Sequence, residues 1–144
     1  MLVASTAFTA TYVYQNTFCG VMLGGSILNA LMGKLLKRII RFDRPSSSGK
    51  RNTSYGMPSS HANSLFFYVS YLSTASYHCS LHDGWSTSLV FGALVSYALS
   101  ICYYKVCVNM DHSLEQVLAG IAQGSIVGVL CYHSALPYIR EVYA

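Results

Sequence analysis

Four stretches of this chain contain no Asp, Glu, Lys or Arg: Met1 to Gly33, Ala62 to His82, Gly84 to Tyr104 and Gln116 to Ile139. Each can hold the roughly 20 residues that carry an α-helix across the hydrocarbon core of a bilayer. A helix of a soluble bundle would place charged or strongly polar residues on its outer face. These stretches place Ser, Thr and Tyr there, whose hydroxyls tolerate burial when they are hydrogen-bonded. The whole chain is 53% hydrophobic and only 10% charged, against about 25% charged residues in a soluble domain. The fold class expected is therefore all-α: an integral membrane helical bundle with about four transmembrane helices.

The basic residues are bunched where the apolar stretches break. Lys34, Lys37, Arg38, Arg41, Arg44, Lys50 and Arg51 hold most of the positive charge behind a formal net charge of +4. A basic cluster beside an apolar helix meets lipid head groups or marks the cytoplasmic side, so nucleic acid is not the expected partner. Cys19, Cys79, Cys102, Cys107 and Cys131 are scattered through apolar stretches without a Cys-x-x-Cys spacing. They read as small core residues and argue against a zinc or redox site. Met1 to Gly33 lacks the basic start of a signal peptide, and its apolar stretch is too long for one. The chain begins almost inside its first helix, as a piece lacking upstream helices would. Residues 1–144 are read as one membrane domain.

The pattern predicts a first helix from about Thr6 to about Arg41, with Gly20-x3-Gly24 as a small-residue packing face. Pro45 ends any helix that survives to Arg44. Ser46 to Met57 is a polar surface loop. A second helix starts at Pro58-Ser59-Ser60, with a Ser near the N-cap, and runs to about Tyr77. Ser80 to Trp85 is a turn. A third helix covers about Ser86 to Val106, and a fourth about Ser113 to Leu136, where Pro137 stops it. Gly120, Gly124 and Gly128 give the fourth helix one smooth face for a neighbour.

Following the chain through these helices brings Lys37, Arg44, Ser59, His61 and His112 to the same membrane surface. That set suits a phosphate. Lys37 and Arg44 are seven residues apart, two helical turns, and share a face if the helix persists that far. Arg offers a planar fork to phosphate oxygens and Lys a point charge. Unpaired backbone N–H groups at the start of the second helix form an anion site, and Ser59 adds a hydroxyl. His61 and His112 are candidates for acid and nucleophile. Imidazole exchanges protons near neutral pH and can accept a phosphoryl group, dividing one hard step into two. Singly, each feature has a plainer explanation: membrane-surface anchoring for the cations, a helix cap for Ser59-Ser60, a bonded structural imidazole for either His. Their convergence on one surface favours the chemical explanation.

Lys37-x6-Arg44-Pro45, Pro58-Ser59-Ser60-His61 and His112-x3-Gln116 resemble the three signatures of the type-2 phosphatidic-acid phosphatase superfamily, over roughly Ser26 to Gly128. That family includes lipid phosphate phosphatases, dolichyl-diphosphate phosphatases and, distantly, vanadium haloperoxidases. The resemblance implies a single membrane phosphatase domain in which Lys37 and Arg44 bind phosphate. Ser59 and the Ser60 backbone N–H would contact its oxygens, His61 would protonate the leaving oxygen, and His112 would attack phosphorus. It implies no metal and no other cofactor.

The third signature departs from the usual form. The Arg expected six residues before the His is Val106 here; Lys105, one residue earlier, substitutes for it if the helix ending shifts. The Asp expected four residues after the His is Gln116, which can orient an imidazole but cannot neutralise an imidazolium. Asp111 and Glu115 are other carboxylates nearby. The Gln with its apolar-Gly continuation, and the run from Tyr55 to His61, look like the dolichyl-diphosphatase and plastid-type lipid phosphatase branches.

The resemblance thus implies hydrolysis of a polyprenyl (dolichyl) diphosphate through a phosphohistidine, with phosphatidate or another lipid phosphate as the alternative. The alternative of another class is a non-catalytic lipid-phosphate-binding or scaffold membrane protein. A lipid phosphate and the bilayer are the expected partners, and the endoplasmic reticulum, or alternatively a plastid membrane, the expected location. His78 and His82, beside Asp83, lie at the opposite surface without further ligands. They read as interfacial, like Trp85 and many of the twelve Tyr.

Overall fold

The structure, a computed structural model, describes residues 17–46, 48, 55–78 and 84–143, with no strand among them. Among these residues four helices follow in order: α1 (Thr17–Ile40), α2 (Ser60–His78), α3 (Gly84–Tyr103) and α4 (Leu114–Tyr143). A π-helical turn, Tyr104–Val108, continues α3 toward α4. The expected start of the first helix at Thr6, Lys50, Arg51, the His78 and Trp85 side chains, and His82 and Asp83 with most of the Ser80 to Trp85 turn lie outside the described residues.

The all-α membrane bundle expected from the charge-free stretches is the architecture found. Among the described residues, three segments are long and apolar enough to cross a bilayer: Phe18–Ile40, Phe91–Val108 and Leu114–Pro137. The remaining helix, α2, is more polar than these three. Its place explains why: α2 packs against α1, α3 and α4, so much of its surface meets protein rather than lipid. The hydroxyls of Ser70, Ser73 and Thr74 bond to its own backbone. Ser70 Oγ donates to the Phe66 carbonyl at 2.7 Å and Thr74 Oγ1 to the Ser70 carbonyl at 2.8 Å. The outer face of α1 instead exposes Leu23, Ile27, Leu31, Leu35 and Ile39, an apolar side suited to lipid.

The glycine stripe on α4 is the joint that places the site. A Cβ at Gly120 would sit 2.6 Å from the Ser59 carbonyl, and one at Gly124 would collide with the Asn63 carbonyl. Backbones approach this closely only where small residues line the seam. Beside the seam lies an apolar core of Phe67, Tyr71, Ala75, Val127, Tyr132 and Ala135, within which the Tyr71 hydroxyl donates to the Phe18 carbonyl at 3.0 Å. On α1 the packing face differs from the one expected. Gly20 and Gly24 meet nothing within 4 Å among the described residues, whereas Gly25 packs on Cys131 and Phe67, and Gly33 on Asn63 and Gln123. A shift of one residue turns the stripe by about 100° around the helix axis, so Gly25, Asn29 and Gly33 face the bundle instead. Cys102 is buried as expected of a core residue, but Cys107 is exposed.

Two helix ends also differ from expectation. Pro137 does not stop α4, which continues to Tyr143. Proline removes one backbone bond and crowds the carbonyl four residues earlier, but its fixed φ is helical, so the helix can run on past it. At α1, the helix ends at Ile40 because Arg41 turns into the left-handed region at φ 49, its N–H donating to the Lys37 carbonyl at 3.1 Å. Arg44 therefore lies beyond the helix, on extended chain, and does not share a helical face with Lys37.

Candidate active site

The extended segment after α1 carries Arg44 inward. Arg44 is 9% exposed and His112, just before α4, 4% exposed, so both sit within the protein rather than on it. Arg44 Nη1 donates to the Asp111 carbonyl at 3.0 Å and lies 3.2 Å from His112 Nε2. A guanidinium can only donate. His112 Nε2 therefore presents its lone pair, and the ring proton resides on Nδ1, where it is donated to Gln116 Oε1 at 3.1 Å.

The amide of Gln116 is itself oriented by independent contacts. Its Nε2 donates to the Asp43 carbonyl at 2.7 Å, and its Oε1 accepts the Ser113 backbone N–H at 3.3 Å. Gly56 leaves room for it, since a Cβ there would overlap both terminal atoms of the Gln116 side chain. The Gly56 N–H donates to the Phe42 carbonyl at 2.8 Å, and the Ser59 N–H to the Gln116 carbonyl at 2.9 Å. The segment after α1, the run into α2 and the start of α4 are thus laced together around one imidazole.

Burial pushes the His112 imidazole well below its ordinary value, to about 4. The Gln116 hydrogen bond and the Asp111 carboxylate pull it up, while the charges of Arg44 and Lys37 push it further down. The lowered value keeps the ring neutral near pH 7, with its Nε2 lone pair accepting from the Arg44 guanidinium.

The other expected residues distribute as follows. Lys37 is half-buried in the last turn of α1, and its charge bears on His112. Ser59 precedes the first residue of α2 and is 1% exposed. Its hydroxyl finds no hydrogen-bond partner among the described residues, so it does not act as the helix cap expected of a Ser at this position. Ser60 and His61 open α2 and are exposed. Their N–H groups belong to the first turn, which has no intrahelical acceptors. Lys105 lies in the π turn, with Nζ 3.6 Å from Asp111 Oδ2. Val106 packs on the apolar cluster of Ala62, Cys102 and Val117, so it takes no part in an anion site. Glu115 is exposed in the first turn of α4.

Some polar residues of the interior were not anticipated. Asn29, Asn63 and Gln123 meet between α1, α2 and α4. Asn29 and Asn63 each donate to the other's carbonyl at 3.4 Å, and Gln123 joins at the Asn29 carbonyl. The sequence signal for such a seam is a carboxamide inside an otherwise charge-free helix. Ser48 is the other omission. It is buried, and its hydroxyl donates to Asp111 Oδ1 at 3.2 Å; nothing in a Ser-rich loop singles it out.

Comparison with known proteins adds relatives to this geometry. A family model described as the PAP2 superfamily matches residues 17–139. The chain is 30% identical over 125 residues to dolichyldiphosphatase of Saccharomyces cerevisiae, covering 82% of this chain and 52% of that protein. It is 32% identical over 120 residues to the chloroplastic lipid phosphate phosphatase epsilon 1 of Arabidopsis thaliana, covering 83% and 41%. To dolichyldiphosphatase 1 of Rhinolophus ferrumequinum it is 30% identical over 118 residues, covering 74% and 48%. The chain spans about half the length of the curated relatives it matches. No solved structure shows a significant match.

Proposed function

Because the chain belongs to the PAP2 superfamily, we propose that it is a membrane phosphatase that hydrolyses a polyprenyl (dolichyl) diphosphate through a phosphohistidine. The observation that carries this reading is the neutral His112, its Nε2 lone pair 3.2 Å from the Arg44 guanidinium and its Nδ1 proton held by Gln116. A phosphate that enters between them gives its oxygens to the guanidinium and its phosphorus to the lone pair.

In the first step the His112 Nε2–P bond forms and the bond from phosphorus to the leaving oxygen breaks. His61, at the start of α2, gives a proton to that oxygen. Arg44, Lys37 and Lys105 match the phosphate charge, joined by the Ser59 hydroxyl and the Ser60 backbone N–H. In the second step water attacks the phosphohistidine, His61 takes the water proton, and inorganic phosphate leaves with His112 restored. The oriented Gln116 fills the place that an Asp fills in the common signature. It fixes the tautomer without a charge, which leaves the resting imidazole neutral and nucleophilic.

The preference for a diphosphate rests on relatives named dolichyldiphosphatase. The relative named lipid phosphate phosphatase supports phosphatidate as the second reading. The first pair fits an endoplasmic reticulum membrane and the second a plastid membrane. Purified protein is assayed for phosphate release from both lipids, with and without chelator. Faster release from the polyprenyl diphosphate is expected, and faster release from phosphatidate selects the second reading. Absence of release from either, or full activity in His112→Ala, overturns the mechanism. Vanadate, which mimics the phosphoryl transition state, separates an enzyme from a lipid-phosphate-binding scaffold: an enzyme binds it at His112, and a scaffold that uses the basic cluster alone does not prefer it.

A further inference from the structure

Asp111 joins three segments of the site, and the reaction above gives it no task. Its carbonyl accepts from Arg44 Nη1 at 3.0 Å, its Oδ1 accepts from the Ser48 hydroxyl at 3.2 Å, and its Oδ2 lies 3.6 Å from Lys105 Nζ. The side chains of Lys105 and Asp111 are only 18% and 14% exposed. An ion pair so shielded is screened less by solvent and salt than a surface pair.

The π turn explains how Lys105 reaches that carboxylate. The Asn109 N–H bonds to the Tyr104 carbonyl at 2.9 Å, and the Asp111 N–H to the Lys105 carbonyl at 3.1 Å. Both bonds span more residues than the four of an α-helix, so the chain takes up extra length before His112. Within this wider turn Val106 packs into the apolar cluster beside α2 and α4, while Lys105 extends to Asp111. The cation stands seven residues before His112, and the turn and the carboxylate together bring it to Asp111, the residue whose carbonyl accepts from Arg44.

We propose that Asp111 is a positioning residue for phosphate binding. It draws Lys105 from its shifted register to the edge of the Arg44–His112 site and, through Ser48, holds the loop after α1 beside it. Lys105 then serves as a phosphate cation although the neighbouring position is a valine. The inference rests on the phosphatase reading above. Asp111 touches no reacting atom, and a carboxylate by itself repels a phosphate, so its contribution lies in what it holds. An alternative role, an internal anion that occupies Lys105 until phosphate displaces it, has the opposite signature: its removal would tighten binding.

The test compares wild type, Asp111→Asn, Lys105→Met and the double variant of the full chain. The readouts are vanadate affinity and KM and kcat for whichever lipid is turned over. Asp111→Asn retains size and an acceptor for Ser48 but removes the charge. It is expected to weaken vanadate binding and raise KM roughly tenfold, with kcat changed by less than about threefold. Lys105→Met should do the same, and the double variant no more than either single one, because both remove one interaction. Asp111→Glu should restore most of the affinity. Lys105→Gln carries the same expectation without altering Asp111, should that variant fold poorly. An active wild type with unchanged or tighter vanadate binding in Asp111→Asn, or single effects that multiply in the double variant, overturns the inference alone. A wild type that neither releases phosphate nor binds vanadate overturns the phosphatase reading and this inference with it.

Discussion

His112 and Gln116 lie four residues apart across the start of α4, and the amide oxygen of the second fixes the ring proton of the first on Nδ1 at 3.1 Å. The pair orients an imidazole without supplying a charge, so the environment leaves the ring neutral, with its titration lowered to about 4. The unfolded imidazole titrates near its ordinary value of about 6.5. Between those values the unfolded chain binds more protons than the folded one, so this residue's contribution to stability is full above about pH 6.5 and declines as pH falls toward 4. The thermal midpoint in detergent should fall across that window, and His112→Asn should flatten the fall. Gln116→Glu places a carboxylate beside the ring and should move its titration upward, read from the imidazole NMR resonance that His112→Ala removes.

Gly56→Ala tests the amide's support. A new Cβ would overlap both Nε2 and Oε1 of Gln116, and the side chain must swing away, taking the His112 hydrogen bond with it. A misplacement of about 1 Å in a reacting group can lower the rate on the order of 10²-fold. We expect a loss of that size in kcat, with the retained fold checked by the thermal midpoint and by gel filtration.

Arg44→Lys should damage both binding and turnover. One guanidinium nitrogen meets the Asp111 carbonyl and His112 Nε2 together, and an ammonium cannot reproduce the planar fork. A rise in KM with a fall in kcat is expected, each on the order of tenfold, the scale of a lost charge-assisted hydrogen bond. Unchanged steady-state kinetics would remove Arg44 from the phosphate site.

The α2–α4 seam predicts a contrast between two glycines. Gly124→Ala drives a methyl into the Asn63 carbonyl and should destabilise by about 1–3 kcal/mol, the usual range for overpacking. Gly92→Ala, with nothing within 4 Å among the described residues, should leave the thermal midpoint in place. The pair is compared by thermal unfolding in the same detergent.

The order of the helices and their all-α membrane character followed from the sequence alone, and so did the expectation that Lys37, Arg44, Ser59, His61 and His112 share one membrane surface. Charge-free length and helical period are local properties, so they survive whatever the helices later pack against. The glycine stripe at Gly120, Gly124 and Gly128 was recognisable for the same reason, since its repeat matches the helix. The packing face of α1 was not. Gly20-x3-Gly24 and Gly25-x3-Asn29-x3-Gly33 are equally periodic, and only the position of α2 and α4 selects between them.

The chemistry of the site was decided by contacts between residues far apart in the chain. That Arg44 leaves the helix and reaches His112 depends on the left-handed turn at Arg41. That Gln116 presents its oxygen, and not its nitrogen, to the imidazole depends on the Asp43 carbonyl across the site. That Lys105 turns toward Asp111 while Val106 enters the core depends on a π turn. A side chain's type is written at its own position. Its tautomer, its partner and the direction of its lone pair are set by hydrogen bonds that form only when the helices close on one another.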